Sequence, residues 1–210
     1  MKCVSQAPKA GFVLVIVGDG PQEKNRVLPE IAKKFNGKEK QLFLPTLSFP
    51  HTRTRENASP GRTGVKASLS GLKVSMEKYG FTEAIIILDR EHLVGINSQN
   101  YLEKAATEVG AELRVKHSSK HCYHCYFKTG GKQARVYIAI SGGTTNIEED
   151  IACLITELFG EKLDPSKAEI KRFLKEKRLR IEDLIKQATK EQLKRCFLGL
   201  TEAIEQLEQS

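Results

Sequence analysis

Two runs of apolar side chains dominate the chain: Phe12-Val13-Leu14-Val15-Ile16-Val17 and Ala84-Ile85-Ile86-Ile87-Leu88. Both are short, continuous and rich in β-branched residues, which predicts strands covered on both faces, as in a parallel sheet. After the first run, Val27, Leu28, Ile31, Ala32 and Phe35 recur at helical spacing and predict a helix over 23–35. Pro29 falls inside that pattern, so the helix is expected to begin or bend there. Residues 41–47 read as a second strand, placed at an edge by Pro45. Leu69, Leu72, Met76 and Tyr79 share one side of a helix over 69–79, and residues 98–109 form another, with Ser98 as cap and Gly110 as stop. A short strand is expected at 112–115. Residues 122–128 and 133–141 read as a strand pair joined by Thr129-Gly130-Gly131-Lys132. Helices follow at 147–159, 166–177, 181–187 and 190–208, with no further strand signal after Pro165. The order predicts an α/β fold, a largely parallel sheet covered by helices, with a C-terminal helical extension. The expected division is a body over 1–162 and an extension over 163–210.

Composition narrows the picture a little. A chain of 210 residues that is 40% hydrophobic is long enough to bury a sizeable core. It holds no run of 18 apolar residues, so no membrane span is expected. The apolar stretch near the start is short, β-branched and followed by charge, so it reads as a core strand rather than a signal peptide, and a cytoplasmic location is the default. Five scattered cysteines do not make a disulfide framework and fit a reducing compartment; Cys153 and Cys196, on helical patterns, are read as core.

Charge is uneven. The net is +8, but residues 33–135 hold 18 Lys or Arg against 9 acids, whereas residues 136–160 hold four acids and no base. A basic middle around acidic strand ends suits a binder of the phosphate backbone with a metal centre. A solvated Lys-rich surface gives the same totals.

Acids also stand where a sheet gathers ligands. In open α/β sheets, ligands bind outside the carboxyl ends of strands. Asp19 and Glu23 follow the first strong strand, Asp89 and Glu91 end the second, and Glu148-Glu149-Asp150 open the helix after the strand ending near Ser141. Brought together, Asp89, Glu91 and Glu148 would suit Mg²⁺, or Mn²⁺, held by a few carboxylates and substrate phosphates. Acids in a helix's first turn also stabilise its dipole, which is the structural alternative for Glu23 and Glu148. Asp19 has an alternative as a turn or cap residue.

Asp19-Gly20-Pro21-Gln22-Glu23 resembles the Glu-Gly-x-x-(Glu/Asp) element that ends the first strand of TOPRIM domains, and Asp89-Arg90-Glu91 resembles their later Asp-x-Asp. The resemblance spans roughly residues 12 to 160. It implies a compact α/β sheet, general acid/base work on a phosphodiester at Asp19 with Glu23, and Mg²⁺ at Asp89 and Glu91. Asp19 is one methylene shorter than the family's acid and Glu91 one longer. The stretch Gly18-Asp19-Gly20-Pro21 is also similar to a donor-site element of retaining glycosyltransferases, which implies a nucleotide sugar; this chain has no room for their second domain.

Three further features bear on function. His117, His121, Cys122, His124 and Cys125 crowd one segment, and Cys122-x-x-Cys125 has metal-knuckle spacing that His121 or His124 could complete. On a strand, however, Cys122 and Cys125 point apart, which weighs against zinc. Tyr123 and Tyr126 beside those histidines could stack on unpaired bases. Arg53, Arg55, Arg62 and Lys66 lie on a long loop expected over 48–68, where arginine forks match phosphate oxygens. The apolar stripe from Leu193 to Leu207 is expected to pack on the body or on a twin subunit, giving a homodimer through the C-terminal helices. The functional expectation is a Mg²⁺-dependent protein of nuclease type acting on nucleic-acid phosphodiesters. The alternatives are a non-catalytic nucleic-acid-binding module and a nucleotide-sugar or phosphate-ligand enzyme.

Overall fold

Alternation along the two apolar strands decides the layers. In the computed structural model, which describes residues 1–4, 6, 11–18, 21–35, 40–44, 63–93 and 97–209, strands β2 (Phe12–Val17) and β4 (Glu83–Asp89) lie side by side, parallel, with Val15 opposite Ile85. Val13, Val15, Ile85 and Ile87 point to one face and join the core beneath α1 (Pro21–Lys34). Leu14, Ile16, Ala84, Ile86 and Leu88 point to the other, beneath α2 (Thr63–Tyr79) and α3 (Ser98–Glu108). Burial on both faces explains why these strands read as unbroken apolar runs.

The sheet has seven strands in the order β1-β3-β2-β4-β7-β6-β5. Strands β1 (Lys2–Val4), β3 (Gln41–Phe43), β2, β4 and β7 (Lys132–Ser141) run parallel. Strands β6 (Cys122–Thr129) and β5 (Glu112–Ser118) add an antiparallel edge. The chain leaves β2 through α1 to reach β3 on one side, then returns through α2 to β4 on the other. Strand order therefore reverses between β2 and β4, which makes their carboxyl ends the topological switch point of the sheet.

Helix α4 (Ile147–Phe159) and the C-terminal helices α5 (Lys167–Glu176), α6 (Ile181–Gln187), α7 (Lys190–Cys196) and α8 (Leu198–Gln209) share a single hydrophobic cluster with α1 and its sheet face. Gly199 lets α8 settle onto the strands: a Cβ there would lie 2.3 Å from the Ile140 carbonyl oxygen and 2.5 Å from that of His121. No helix among the described residues is long and apolar enough to cross a membrane.

Several elements differ from the pattern-based expectation. Helix α1 begins at Pro21, where a missing N–H costs nothing, and continues through Pro29. Helix α2 begins at Thr63, so Lys66 sits on a helix rather than a loop. The expected 190–208 helix is two helices, because Phe197 leaves helical geometry at φ −104, ψ 55. Cys153 and Cys196 form a disulfide between α4 and α7, their Cα atoms 5.5 Å apart. Packing of two distant helices brings those thiols together, and no local spacing announces it.

Candidate functional site at the carboxyl end of the parallel strands

Strand β4 ends at Asp89, opposite Ser141 of β7, and the chain turns at once into a single 3-10 turn, Arg90–Leu93. That tight turn folds Glu91 and His92 back beside Asp89. One ligand atom from each of Asp89, Glu91 and His92 falls within 4.8 Å of the others. Asp89 is 5% exposed and His92 4%, while Glu91 faces solvent. On the neighbouring strand, Gly18 N–H donates to the Ile87 carbonyl at 2.9 Å, so β2 ends at the same rim. Its Cα is hemmed in: a Cβ there would lie 3.0 Å from Leu88 Cδ2 and 3.1 Å from the Ile87 carbonyl.

The loop after β7 is held by two acids of α4. Gly142 N–H donates to both carboxylate oxygens of Asp150, at 3.1 and 3.0 Å. Gly142 has φ +79, and a Cβ would lie 2.4 Å from the Asn146 carbonyl, so this turn requires glycine. Glu149 accepts from the N–H groups of Thr144 (2.7 Å) and Thr145 (3.0 Å), from the Thr145 hydroxyl (2.7 Å) and from the Thr144 hydroxyl. Thr145 in turn accepts from Glu91 N–H at 2.9 Å through its carbonyl. The acids of α4 thus brace the segment that carries Glu91.

Electrostatics separate these two acids. Burial alone would push Glu149 up, but the hydrogen bonds from Thr144 and Thr145 outweigh it and hold the carboxyl down at about 2. Burial pushes Asp150 well above the usual carboxylate range; Gly142 N–H opposes the shift, the charges of Glu149 and Asp89 add to it, and Arg90 partly offsets them. Burial thus favours the neutral form of Asp150 while Glu149 keeps its charge, and Arg90 is the cation that bears on Asp150. Arg90 Nη2 donates to the Lys120 carbonyl at 2.7 Å and meets His121 Nδ1 at 3.2 Å, while its Nε is buried without a hydrogen-bond partner.

The structure places the other expected site residues as follows. Asp19, Arg53, Arg55 and Arg62 lie outside the described residues, as does the side chain of Glu23 on α1. Lys66, on α2, is paired with Glu108 of α3. Glu148 does not join Asp89 and Glu91. It lines a groove of about 170 Å³ with Arg26, Lys167, Lys171 and Arg180, on the α1–α5 side of α4. His92 takes the third place in the cluster; a single histidine gives no periodic signal, and only its adjacency to Glu91 hinted at it.

Cys122 and Cys125 point to opposite faces of the sheet, into different hydrophobic clusters. Burial pushes both thiols up, Cys125 to about 12, which disfavours the thiolate that binds metal. The pair cannot ligate one zinc ion together. His121 sits against Arg90, and His124 stacks on Tyr137 at 4.8 Å between ring centres.

Compared with models of known protein families, with curated proteins and with solved structures, the chain gives no match.

Proposed function

We propose that the chain is a TOPRIM-like protein that uses Mg²⁺ or Mn²⁺, held by Asp89, Glu91 and His92, to act on nucleic-acid phosphodiesters. The observation that carries this reading is the convergence of those three donors within 4.8 Å, beside the switch point of a mostly parallel sheet. Two carboxylates suit a hard cation, and the imidazole extends the set toward Mn²⁺. Lys and Arg outnumber acids by 34 to 26, which favours an anionic polymer as partner.

A bound divalent ion would supply charge stabilisation at a phosphate oxygen and acidify a coordinated water. The chain's own contribution is positional. The β4–β7 ladder holds Asp89 and the 3-10 turn holds His92, both buried, and the Glu149-held loop fixes the backbone at Glu91. Asp19, with Glu23, is the proposed proton-transfer group.

The test is Mn²⁺ binding by titration calorimetry, followed by Mg²⁺-dependent cleavage of labelled RNA and DNA, for wild type, Asp89→Asn and Glu91→Gln. Loss of a ligand should weaken Mn²⁺ binding by at least about 10-fold, the lower end of what even outer-sphere changes cause. Unchanged ion binding and cleavage in Asp89→Asn would remove the basis for the site. Oligonucleotide binding without any ion binding would favour the second reading, a non-catalytic nucleic-acid module, which the basic antiparallel face of the sheet supports.

A further inference from the structure

The antiparallel part of the sheet is covered on one face and open on the other. Leu113, Cys125, Phe127, Ala134 and Val136 face the cluster beneath α2 and α3, and β5 takes its helical cover from α3 on that side. On the opposite face α8 covers the end of the strands near Cys122 and Ala139. Beyond that end, pairing sets Arg114, Tyr126 and Arg135 in a cross-strand row, with His124 and Tyr137 in the next. Arg114, Lys116, His117 and Lys128 are exposed, and His124, Tyr126 and Arg135 are half-buried. A shallow depression of about 210 Å³ lies over this surface, with Tyr126, Arg114 and Lys128 in its walls.

Several details distinguish this face from ordinary cross-strand pairing. The register shifts between Val115 and His117, and this bulge brings the charges of both Lys116 and His117 to bear on His124. Lys116 Nζ sits 5.6 Å from the centre of the Tyr126 ring. His124 Nε2 is buried and makes no hydrogen bond. Burial, followed by Lys116, Arg135 and His117, pushes the His124 ring down, so it presents a neutral aromatic surface among cations. Glu112 is occupied by Arg114 at 2.5 Å and Glu83 by Arg135 at 2.9 Å. Among the described residues, Lys116 and Lys128 have no acidic partner.

We infer that this open face is a stacking platform for single-stranded nucleic acid, with one base on Tyr126, its neighbour against His124, and phosphates met by Arg114, Lys116 and Lys128. Every base offers a π-face, so such a platform is tolerant of sequence, and the cations track the backbone. An acidic peptide would satisfy the lysines but leave the stacked rings unused. The inference rests on the nucleic-acid reading above and adds the substrate's form, a single strand, and where it is gripped.

The full-length chain is titrated with fluorescein-labelled oligo(dT) and oligo(U) in EDTA, so that ion-dependent chemistry plays no part. Tyr126→Ala should weaken binding about 5- to 150-fold, the range for one stacked base, and Tyr126→Phe should restore it. Lys116→Gln should lessen the salt slope by about 0.7, one phosphate's worth on a single strand. The chain has five Tyr and no Trp, so quenching of tyrosine emission on binding reads the stacking directly. Wild-type affinity in Tyr126→Ala, or equal affinity for duplex or for a polyglutamate peptide, would overturn the platform. The two proposals fail separately. A platform confirmed in EDTA survives the loss of the Asp89 chemistry, and Asp89-dependent cleavage survives an intact Tyr126→Ala complex.

Discussion

Glu149 offers the sharpest check on the architecture of the rim. It accepts four hydrogen bonds from Thr144 and Thr145, and that loop holds Glu91 by one further bond, so Glu149→Gln loosens the segment without removing an expected ligand. Its carboxyl is held at about 2 against the ordinary 4.5, and a drop of about 2.5 units corresponds to roughly 3 kcal/mol at 1.4 kcal/mol per unit. Much of this group is in contact with water, so screening reduces the figure to about 1–2 kcal/mol. The sign follows from proton counting: between pH 4.5 and 2 the unfolded chain binds the proton and the folded chain does not. Stability from this group is therefore complete above pH 4.5 and is lost as pH falls toward 2. Urea unfolding of wild type and Glu149→Gln at pH 7 and near pH 2 measures it. A gap of about 1–2 kcal/mol at neutral pH should close in acid, because the protonated wild-type side chain then resembles the amide. A gap independent of pH would show that the carboxylate charge does not hold the loop, and the bracing of Glu91 would lose its footing.

Three other perturbations probe the same framework. The Cys153–Cys196 bridge closes a 43-residue separation, so reduction, or the double Cys→Ala variant, should lower unfolding free energy by about 4 kcal/mol in the chain-entropy picture, read as a shift in urea midpoint. Gly199→Ala places a methyl group against backbone at Ile140 and His121, so it should cost about 1–3 kcal/mol, whereas Val74→Ala on the exposed face of α2 should stay within about 0.5 kcal/mol. Cleavage should improve with oligonucleotide length and level off once a strand spans platform and rim. Arg135, paired with Tyr126, and Ser141, paired with Asp89, are six residue steps apart on β7, a separation of about 20 Å that needs at least about six stacked nucleotides, so trimers should be cut no faster by wild type than by Tyr126→Ala.

How legible the molecule was depended on the range of the force involved. Strands β2 and β4 stood out because burial on both faces leaves no polar position to interrupt them. Asp89 stood out because an acid directly after such a run has no turn chemistry to explain it. Strand β1 did not, since three residues at a sheet edge carry no period. The start of α2 was hidden behind the Pro60-Gly61 turn signal, which marks a boundary without saying how soon the helix resumes. Among the α4 acids, helical phase decided what composition could not. Glu148 and Asp150 are two residues apart, roughly 200° around the axis, so one faces the basic groove and the other the rim. The apolar stripe ran unbroken across Phe197 because α7 and α8 pack on the same core although the backbone between them is not helical.

The division of the sheet into parallel and antiparallel parts would let the proposed stacking surface and the proposed metal site coexist. Parallel strands need crossover helices, which bury both faces and leave the strand ends, where Asp89 lies, as the place for a ligand. The hairpin of β6 and β7 needs no crossover, so the face of β5 and β6 turned away from α3 can stay in contact with solvent and display Tyr126 and His124. The link between the halves is Arg90, whose guanidinium donates to the Lys120 carbonyl and contacts His121 in the turn leading into β6. That turn, which carries Lys120 and His121, lies at the same end of the sheet as Asp89. Because α8 covers the strand ends near Cys122 and Ala139, a single strand held on the proposed platform could not lie flat over β6 and β7 as far as the proposed metal site, and would have to leave the sheet face before approaching the acids at the rim.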